Sequence, residues 1–240
     1  MPRYRKPVSF FMPEKCIDPS YYNQLQINAF EAHLNFTRGV VANCQDWVEP
    51  EIRKKLLIKE INPLYISQFI KCYNPKLIYL ERCPYAVAKS FQALGWYTPE
   101  LFSKRFSDED LEKFSSIKKN LLEQDFFYQM GFLQGVVKAK VEPYLNDKNS
   151  LVISYEQLII SSESEIQKLV SFLGLSESNT LKNLFYKSLS GKDMVSPGSF
   201  TTSRSQQALM SKINSDKNES NYRIIIEAYE LAYNEYRKLK

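Results

Sequence analysis

The chain has 240 residues, 44% hydrophobic and 25% charged, and its 32 Lys and Arg residues against 27 Asp and Glu give a net charge of +5. This composition is typical of a globular protein, and so modest a charge favours acidic partners only weakly. The single histidine, His33, excludes a multi-histidine metal site, and the four cysteines lack a CxxC spacing and indicate reduced thiols.

The chain is expected to form one domain over residues 1–240, with residues 1–19 as a tail or extended segment. No apolar run reaches the roughly 18 residues that a membrane span needs, so we expect a cytoplasmic protein with no membrane partner. The basic cluster PRYRKP at the N-terminus is interpreted as a solvated tail, with a nucleic-acid arm as the alternative, so no nucleic-acid partner is expected. Apolar residues recur at helical spacing over residues 21–44, which predicts a long helix. Residues 56–58 are predicted as a short buried strand, followed by a helix that Pro63 opens and Pro75 stops.

The next apolar block, residues 77–80, predicts a strand covered on both faces, and Pro84 suits the first turn of a helix. Arg82 would then lie in the turn at the carboxyl end of the strand, beside free backbone N–H groups that favour an anion. An ordinary surface arginine after a core strand is the alternative. Strands and helices that alternate at this spacing predict an α/β fold, a parallel sheet flanked by helices.

Two helices are predicted in the middle of the chain. The first starts at Ser107, where an acidic first turn suits a positive helix N-terminus. The second is a long amphipathic segment over residues 118–144. Gly131 and Gly135 lie on one face of this segment, which indicates close packing against another helix.

The last predicted elements are a strand and two helices. Residues 151–158 are predicted as a third buried strand. A helix follows, with Ser162 and Glu165 as a capping box and Gly174 as its stop. Residues 221–239 form the closing helix, whose apolar side should dock on the core.

Five pieces of sequence, LLIKEINP, KLIYLERCPYAVAKSF, LVISYEQL, SFLGL and TTSRS, follow one another along the chain. In this order they resemble the sulfotransferases that use 3′-phosphoadenosine 5′-phosphosulfate, most closely the bacterial branch, over roughly residues 56–240. The resemblance implies a helix-rich fold of the P-loop NTPase-like type. It also implies transfer of a sulfuryl group to a hydroxyl or amine of a small-molecule or carbohydrate acceptor.

The resemblance further implies a nucleotide site. Arg82 and Ser90 correspond to the arginine and serine that hold the 3′-phosphate of the nucleotide, and a guanidinium can grip two phosphate oxygens at once. Tyr155 corresponds to an aromatic residue close to the nucleotide, and Arg204 to a late basic residue that closes over it. The plain alternatives are a helix-surface hydroxyl for Ser90, a core tyrosine for Tyr155 and a solvated loop arginine for Arg204.

Two further residues are implied in catalysis. Lys59 corresponds to a lysine that contacts the transferring group, where a cation stabilises the moving oxygens. Glu60 is a candidate general base by its proximity to Lys59, and an ion pair with a neighbouring lysine is the alternative. No metal is implied, because Lys and Arg meet the charge of the phosphosulfate. Acceptor contacts are expected from residues 96–117 and from the helix over residues 21–44.

One part of the family pattern is missing. None of the seven glycines stands between a buried strand and a helix near the start, where a Gly-rich loop would cradle the 5′-phosphosulfate. The strand that precedes this loop in the family, the first strand of the sheet, is not found in the sequence either. Three explanations are considered: an N-terminally truncated enzyme, a partner chain that supplies the loop, and a degenerate homologue. The predicted function is therefore a sulfotransferase, with a non-catalytic binding or scaffold protein as the alternative.

Overall fold

The computed structural model describes residues 62–97, 102–103, 106–175 and 206–239. The chain divides at Pro63 into two units, and nearly all described residues belong to the second, Leu64–Lys240. The predicted tail, the helix over residues 21–44 and the strand over residues 56–58 lie outside the described ranges, and the single domain stays a prediction.

The described residues contain two strands and eight helices, which confirms the α/β class. The strands are β1 (Leu77–Glu81) and β2 (Ser150–Ser154). The helices are α1 (Ile66–Tyr73), α2 (Pro84–Ala93), α3 (Asp108–Ile117), α4 (Phe126–Leu145), α5 (Tyr155–Ile160), α6 (Ser162–Leu173), α7 (Gln206–Asp216) and α8 (Ser220–Lys238). Helix α7 was not predicted from the sequence.

The two strands pair in parallel, and their ends coincide. Leu77 lies opposite Ser150, and Glu81 lies opposite Ser154. Because both strands end at the same edge of the sheet, the residues that follow them emerge side by side. This register positions the candidate site.

Strand β1 is less covered than the sequence predicted. Leu77 and Tyr79 pack against a cluster that includes Ile66 of α1 and Val141 of α4, so one face is covered. Leu80, whose side chain points to the other face, is 55% exposed. The prediction of a strand covered on both faces is therefore wrong at Leu80.

Strand β2 is shorter than predicted. It ends at Ser154 instead of continuing to residue 158, because the Ser154 hydroxyl accepts a hydrogen bond from the Gln157 N–H at 3.2 Å and caps a new helix. Glu156 in the first turn suits the positive end of that helix. Tyr155 is thus the first residue of α5 and not part of the strand that the sequence predicted.

Helix α4 is the central helix of the described fold. It begins at Phe126 and not near residue 118, because the Asp125 side chain accepts a hydrogen bond from the Tyr128 N–H at 2.9 Å and caps it there. Five consecutive residues, 129–133, are buried, which is more than one full turn. The predicted amphipathic pattern is therefore wrong, since neighbours surround the helix.

The two glycines of α4 pack against α8, as the sequence predicted. A Cβ atom added at Gly131 would lie 2.3 Å from the carbonyl oxygen of Ile225, and one added at Gly135 would lie 2.3 Å from that of Tyr229. Only glycine allows the two backbones to approach so closely. The face of α8 that is buried consists of predicted core residues, namely Ile225, Ala228, Ala232 and Tyr236.

The helix termini agree with the sequence in two places and differ in one. Ser107 caps α3, and Gly174 ends α6 with a left-handed φ of 65°, both as predicted. The capping box of Ser162 and Glu165 does not form. Ser162 is the first helical residue, and its hydroxyl donates to the Ile159 carbonyl at 3.3 Å, because the helix starts one residue earlier at the Ser161 cap.

Candidate functional site

The turn between β1 and α2 presents Arg82 at the edge of the sheet. Glu81, the last residue of β1, forms an ion pair with Lys138 of α4 at 2.8 Å. Pro84 opens α2 at a position that needs no backbone N–H, so the turn consists of Arg82 and Cys83 alone. Strand, turn and helix follow one another as the sequence predicted.

The structure brings two of the predicted site residues into contact. The guanidinium carbon of Arg82 lies 5.1 Å from the centre of the Tyr155 ring, within the range of a cation–π interaction. The contact follows from the register, because Arg82 and Tyr155 each come directly after their strand.

One hydrogen-bond donor of the Arg82 side chain has no partner among the described residues. The Arg82 Nε is buried and makes no hydrogen bond with any residue that the structure describes. A buried donor on a charged group is costly to leave unpaired, and such groups are rare in folded proteins. Because this nitrogen is closed to solvent in the present arrangement, an anion at this edge of the sheet would satisfy it after a small movement of the side chain.

The carboxylate of Glu156, which was not predicted as a site residue, binds the backbone of the same turn. The Cys83 N–H donates to Glu156 Oε1 at 2.9 Å, and the Ser154 hydroxyl donates to Glu156 Oε2 at 3.3 Å. The expectation that the backbone N–H groups beside Arg82 are free is therefore wrong for Cys83. Cys83, the N-cap of α2, supplies no side-chain cap to that helix. No local sequence signal marks Glu156, because the predicted strand continued past it and its partner, Cys83, lies 73 residues away.

Helix α8 reaches this turn through Tyr222. Its ring packs edge-on against Tyr85 of α2, with the ring centres 5.6 Å apart. Burial raises the pKa of Tyr222, and the neighbouring Cys83 and Glu156 raise it further. The Tyr222 hydroxyl therefore keeps its proton at neutral pH and serves as a neutral wall of the site.

Ser90 lies on α2, about 9 Å along the helix from Pro84. It is partly buried, and its hydroxyl makes no hydrogen bond within the described residues. The neighbouring Lys89 is already engaged, because its Nζ lies 3.4 Å from both Asp216 and Glu219. No contact joins Ser90 to Arg82 in the described part of the chain, so a shared ligand would have to span them.

Three predicted site residues, Lys59, Glu60 and Arg204, lie outside the described residues. Their roles stay predictions.

The described glycines do not form a phosphate-binding loop. Gly95 follows α2 with a φ of 63°, Gly131 and Gly135 lie inside α4, and Gly174 ends α6. None of these four stands between a strand and a helix. The other three glycines are outside the described ranges.

Within residues 96–117, the aromatic residues that the structure describes are mostly core residues. Phe102, Phe106 and Phe114 are each at most 2% exposed and pack against one another. Trp96 differs, since it is 54% exposed and touches Phe91 by its ring edge. Within the stretch 96–117, Trp96 is therefore the candidate contact that the structure leaves accessible.

Over the ranges that the structure describes, no group of three or more His, Cys, Asp and Glu side chains could hold a metal ion. Among the same residues, no helix combines the length and the apolar character needed to cross a membrane. A surface depression of about 530 Å³ lies at the end of α8, lined by Asn234, Glu235, Arg237 and Lys238. No predicted site residue is among these four.

Comparison with known proteins gives one match. The family model described as "Sulfotransferase domain" matches residues 51–223, well over half of the chain. This range includes all six predicted site residues. Searches of curated proteins and of solved structures found no match.

Proposed function

Because the chain belongs to the sulfotransferase family, we propose that it transfers a sulfuryl group from 3′-phosphoadenosine 5′-phosphosulfate to a hydroxyl or amine acceptor. In this reaction the bond from sulfur to the 5′-phosphate oxygen of the donor breaks, and a bond from sulfur to the acceptor forms. The proton of the acceptor passes to a base. The acceptor class we propose is a small molecule or a carbohydrate.

The Nε of Arg82, buried without a partner among the residues that the structure describes, is the observation that carries the proposal. The donor nucleotide bears a phosphate on its 3′-oxygen, which separates it from common adenine nucleotides. A guanidinium matches the geometry of a phosphate and is less strongly hydrated than an ammonium group, so it suits a partly buried site. Arg82 also stands where Tyr155 fixes its orientation by stacking.

The remaining predicted residues have separate roles in the proposal. Ser90, whose hydroxyl has no partner among the described residues, adds a hydrogen bond to the nucleotide, and Arg204 closes over it. Lys59 holds a positive charge near the transferring oxygens, and Glu60 accepts the proton of the acceptor.

The test is a calorimetric titration with 3′-phosphoadenosine 5′-phosphate, the nucleotide product. Wild type should bind it, and Arg82→Ala should bind on the order of a hundredfold more weakly, since two charge-assisted hydrogen bonds are lost. Arg223→Ala is the matched control, because Arg223 is an exposed arginine on α8 that pairs only with Glu227 in the described structure. Equal binding by wild type and Arg82→Ala would overturn the proposal.

A second candidate, a nucleotide-binding protein without transfer activity, is favoured by the glycines. The four that the structure describes pack helices or end them and do not cradle a phosphosulfate. Incubation of the chain with radiolabelled donor and a panel of phenols, sugars and amines separates the two candidates. A sulfated product supports the enzyme, and binding of the nucleotide with no product on any acceptor supports the second candidate.

A further inference from the structure

Side chains continue the link between β1 and β2 beyond the end of the strands. One residue past the strands, Arg82 stacks on Tyr155, and two residues past them, the Cys83 N–H donates to Glu156 Oε1 at 2.9 Å. The Glu156 carboxylate therefore takes the place of the backbone acceptor that a longer β2 would offer.

Both oxygens of Glu156 are used in this link. Oε1 accepts from Cys83, and Oε2 accepts from the Ser154 hydroxyl at 3.3 Å. Within the described residues no ion pair joins Glu156 to Arg82. The negative charge is thus directed at backbone and hydroxyl donors, and the guanidinium is left available for an anion.

We infer that Glu156 is a positioning residue, which holds Arg82 in register with Tyr155 and so sets the preference for a nucleotide with a 3′-phosphate. The peptide group that joins Arg82 to Cys83 is planar, so a hydrogen bond at the Cys83 N–H also fixes the carbonyl and the Cα of Arg82. A bidentate grip on phosphate depends on such placement, because a shift of about 1 Å is enough to lose most of its advantage. This role rests on the proposed function.

The role depends on the reach of the side chain and not on its charge. Glu156→Gln keeps the length and one acceptor oxygen but removes the charge. Glu156→Asp keeps the charge but is one carbon shorter, about 1.5 Å, too short to hold the Cys83 N–H at its present place. The glutamine variant should therefore behave like wild type, and the aspartate variant should not.

The experiment compares two nucleotides by calorimetric titration: 3′-phosphoadenosine 5′-phosphate and adenosine 5′-phosphate, which lacks the 3′-phosphate. The quantity measured is the ratio of their dissociation constants. Wild type should prefer the first nucleotide. Glu156→Asp should lower the ratio on the order of tenfold, the effect of one hydrogen bond to a charged group, and Glu156→Gln should keep it within about threefold. Glu230→Asp, on an exposed position of α8, is the control and should leave the ratio unchanged.

A second pair of variants removes the donor instead of the acceptor. Cys83 has a φ of −50°, which proline can adopt, so Cys83→Pro deletes the N–H without a change of backbone region. Cys83→Ala loses the thiol but keeps the N–H. The proline variant should lower the ratio as Glu156→Asp does, and the alanine variant should not. This pair decides the question if Glu156→Asp fails to fold by circular dichroism.

The outcomes separate the two proposals. If wild type shows no preference for the 3′-phosphate, the proposed function fails, and the role of Glu156 fails with it. If wild type shows the preference and Glu156→Asp or Cys83→Pro retains it, or loses affinity for both nucleotides equally, the role of Glu156 alone is overturned.

Discussion

The two acidic side chains closest to Arg82 along the strands, Glu81 and Glu156, are bound to other partners. The acidic side chain nearest in sequence, Glu81, pairs with Lys138 at 2.8 Å, and Glu156 bonds to Cys83. Tyr155 offers a ring face, which stabilises a cation without neutralising it. Among the described residues the Arg82 guanidinium is held by a ring and not by a carboxylate, so its charge is not neutralised there and can meet a ligand.

The ring of Tyr155, and not its hydroxyl, should matter for binding of the nucleotide. Tyr155→Phe keeps the ring face and should bind 3′-phosphoadenosine 5′-phosphate within about threefold of wild type. Tyr155→Leu removes the cation–π contact, worth about 0.5–2 kcal/mol, and should weaken binding on the order of tenfold. Calorimetric titration measures both. Binding by Tyr155→Leu that equals that of Tyr155→Phe would show that the stacking does not orient Arg82.

For single residues, the sequence predicted the place in the fold more reliably than the hydrogen-bond partners. Arg82 was predicted to follow the end of a strand and is found there. The apolar block marks the strand and the proline marks the first turn of the helix, so the residues between them must form the turn. Glu156 was missed, since its partner, Cys83, is 73 residues away. A contact at that separation depends on the strand register, and no local pattern reports it.

Close packing of α4 against α8 is the main contact between helices in the described fold, and glycine makes it possible. Gly131→Ala should lower the free energy of unfolding by about 1–3 kcal/mol, because the new methyl group would overlap the Ile225 carbonyl. The better helix propensity of alanine offsets only about 1 kcal/mol of the gross effect. Urea unfolding measures the change.

Gly95→Ala is the comparison for Gly131→Ala. No atom of the described residues lies within 4 Å of a Cβ at Gly95, so this variant reports backbone strain at a φ of 63°. That strain is about 1–2 kcal/mol at most. If unfolding shows no loss for Gly131→Ala, the two backbones are not as close as the structure has them.

One buried carboxylate links three helices. Asp110 of α3 is 4% exposed and accepts hydrogen bonds from Lys140 of α4 and Tyr236 of α8. Burial by itself would raise the pKa of Asp110, but the bonds from Lys140, Tyr236 and Ser107 outweigh it and hold the pKa below its ordinary value. The carboxylate is therefore ionised in the fold at neutral pH.

The stability that Asp110 contributes should be lost in acid. In the unfolded chain the pKa of an aspartate is about 3.9, and in the fold the pKa of Asp110 is lower. The stabilising contribution is therefore fully present above the unfolded pKa and is lost as the pH falls through the folded pKa. Asp110→Asn should lower the free energy of unfolding by about 1–3 kcal/mol at pH 7. The difference from wild type should shrink below about pH 4.

Urea unfolding over a pH series measures this difference. Glu109→Gln is the matched control on the same helix, because the Glu109 side chain is 77% exposed and, in the described part of the chain, pairs only with Lys113. A difference between wild type and Asp110→Asn that stays constant down to about pH 3 would contradict the assignment.

Elements were predicted more securely than their ends. Helices α2, α3 and α8 agree with the sequence because a proline, an acidic first turn and a repeated apolar face mark them. Strand β2 was predicted too long because residues 155–158 continue the apolar pattern of a strand. The Ser154 side chain caps a helix at this point, so these residues are helical. Helix α4 appeared amphipathic because the sequence does not show how many neighbours surround it.

For the whole molecule, the donor nucleotide should act as a stabilising ligand. A ligand that binds only the folded state, at a concentration of 100 times its dissociation constant, raises the free energy of unfolding by about 2.7 kcal/mol. For a chain of this size, each kcal/mol raises the Tm by roughly 2–4 °C. We therefore expect 3′-phosphoadenosine 5′-phosphate to raise the Tm of wild type by about 5–10 °C.

The same shift tests whether the site works as a unit with the folded domain. Arg82→Ala should melt close to wild type without ligand, because the Tyr155 ring is the one side-chain partner of Arg82 in the described structure and such a contact contributes only about 0.5–2 kcal/mol. With ligand, this variant should show little shift. Adenosine 5′-phosphate at the same concentration should shift wild type less than the nucleotide with the 3′-phosphate. Scanning calorimetry gives all three values. Equal shifts for wild type and Arg82→Ala would mean that the nucleotide binds elsewhere on the molecule and that the edge of the β1–β2 sheet is not its site.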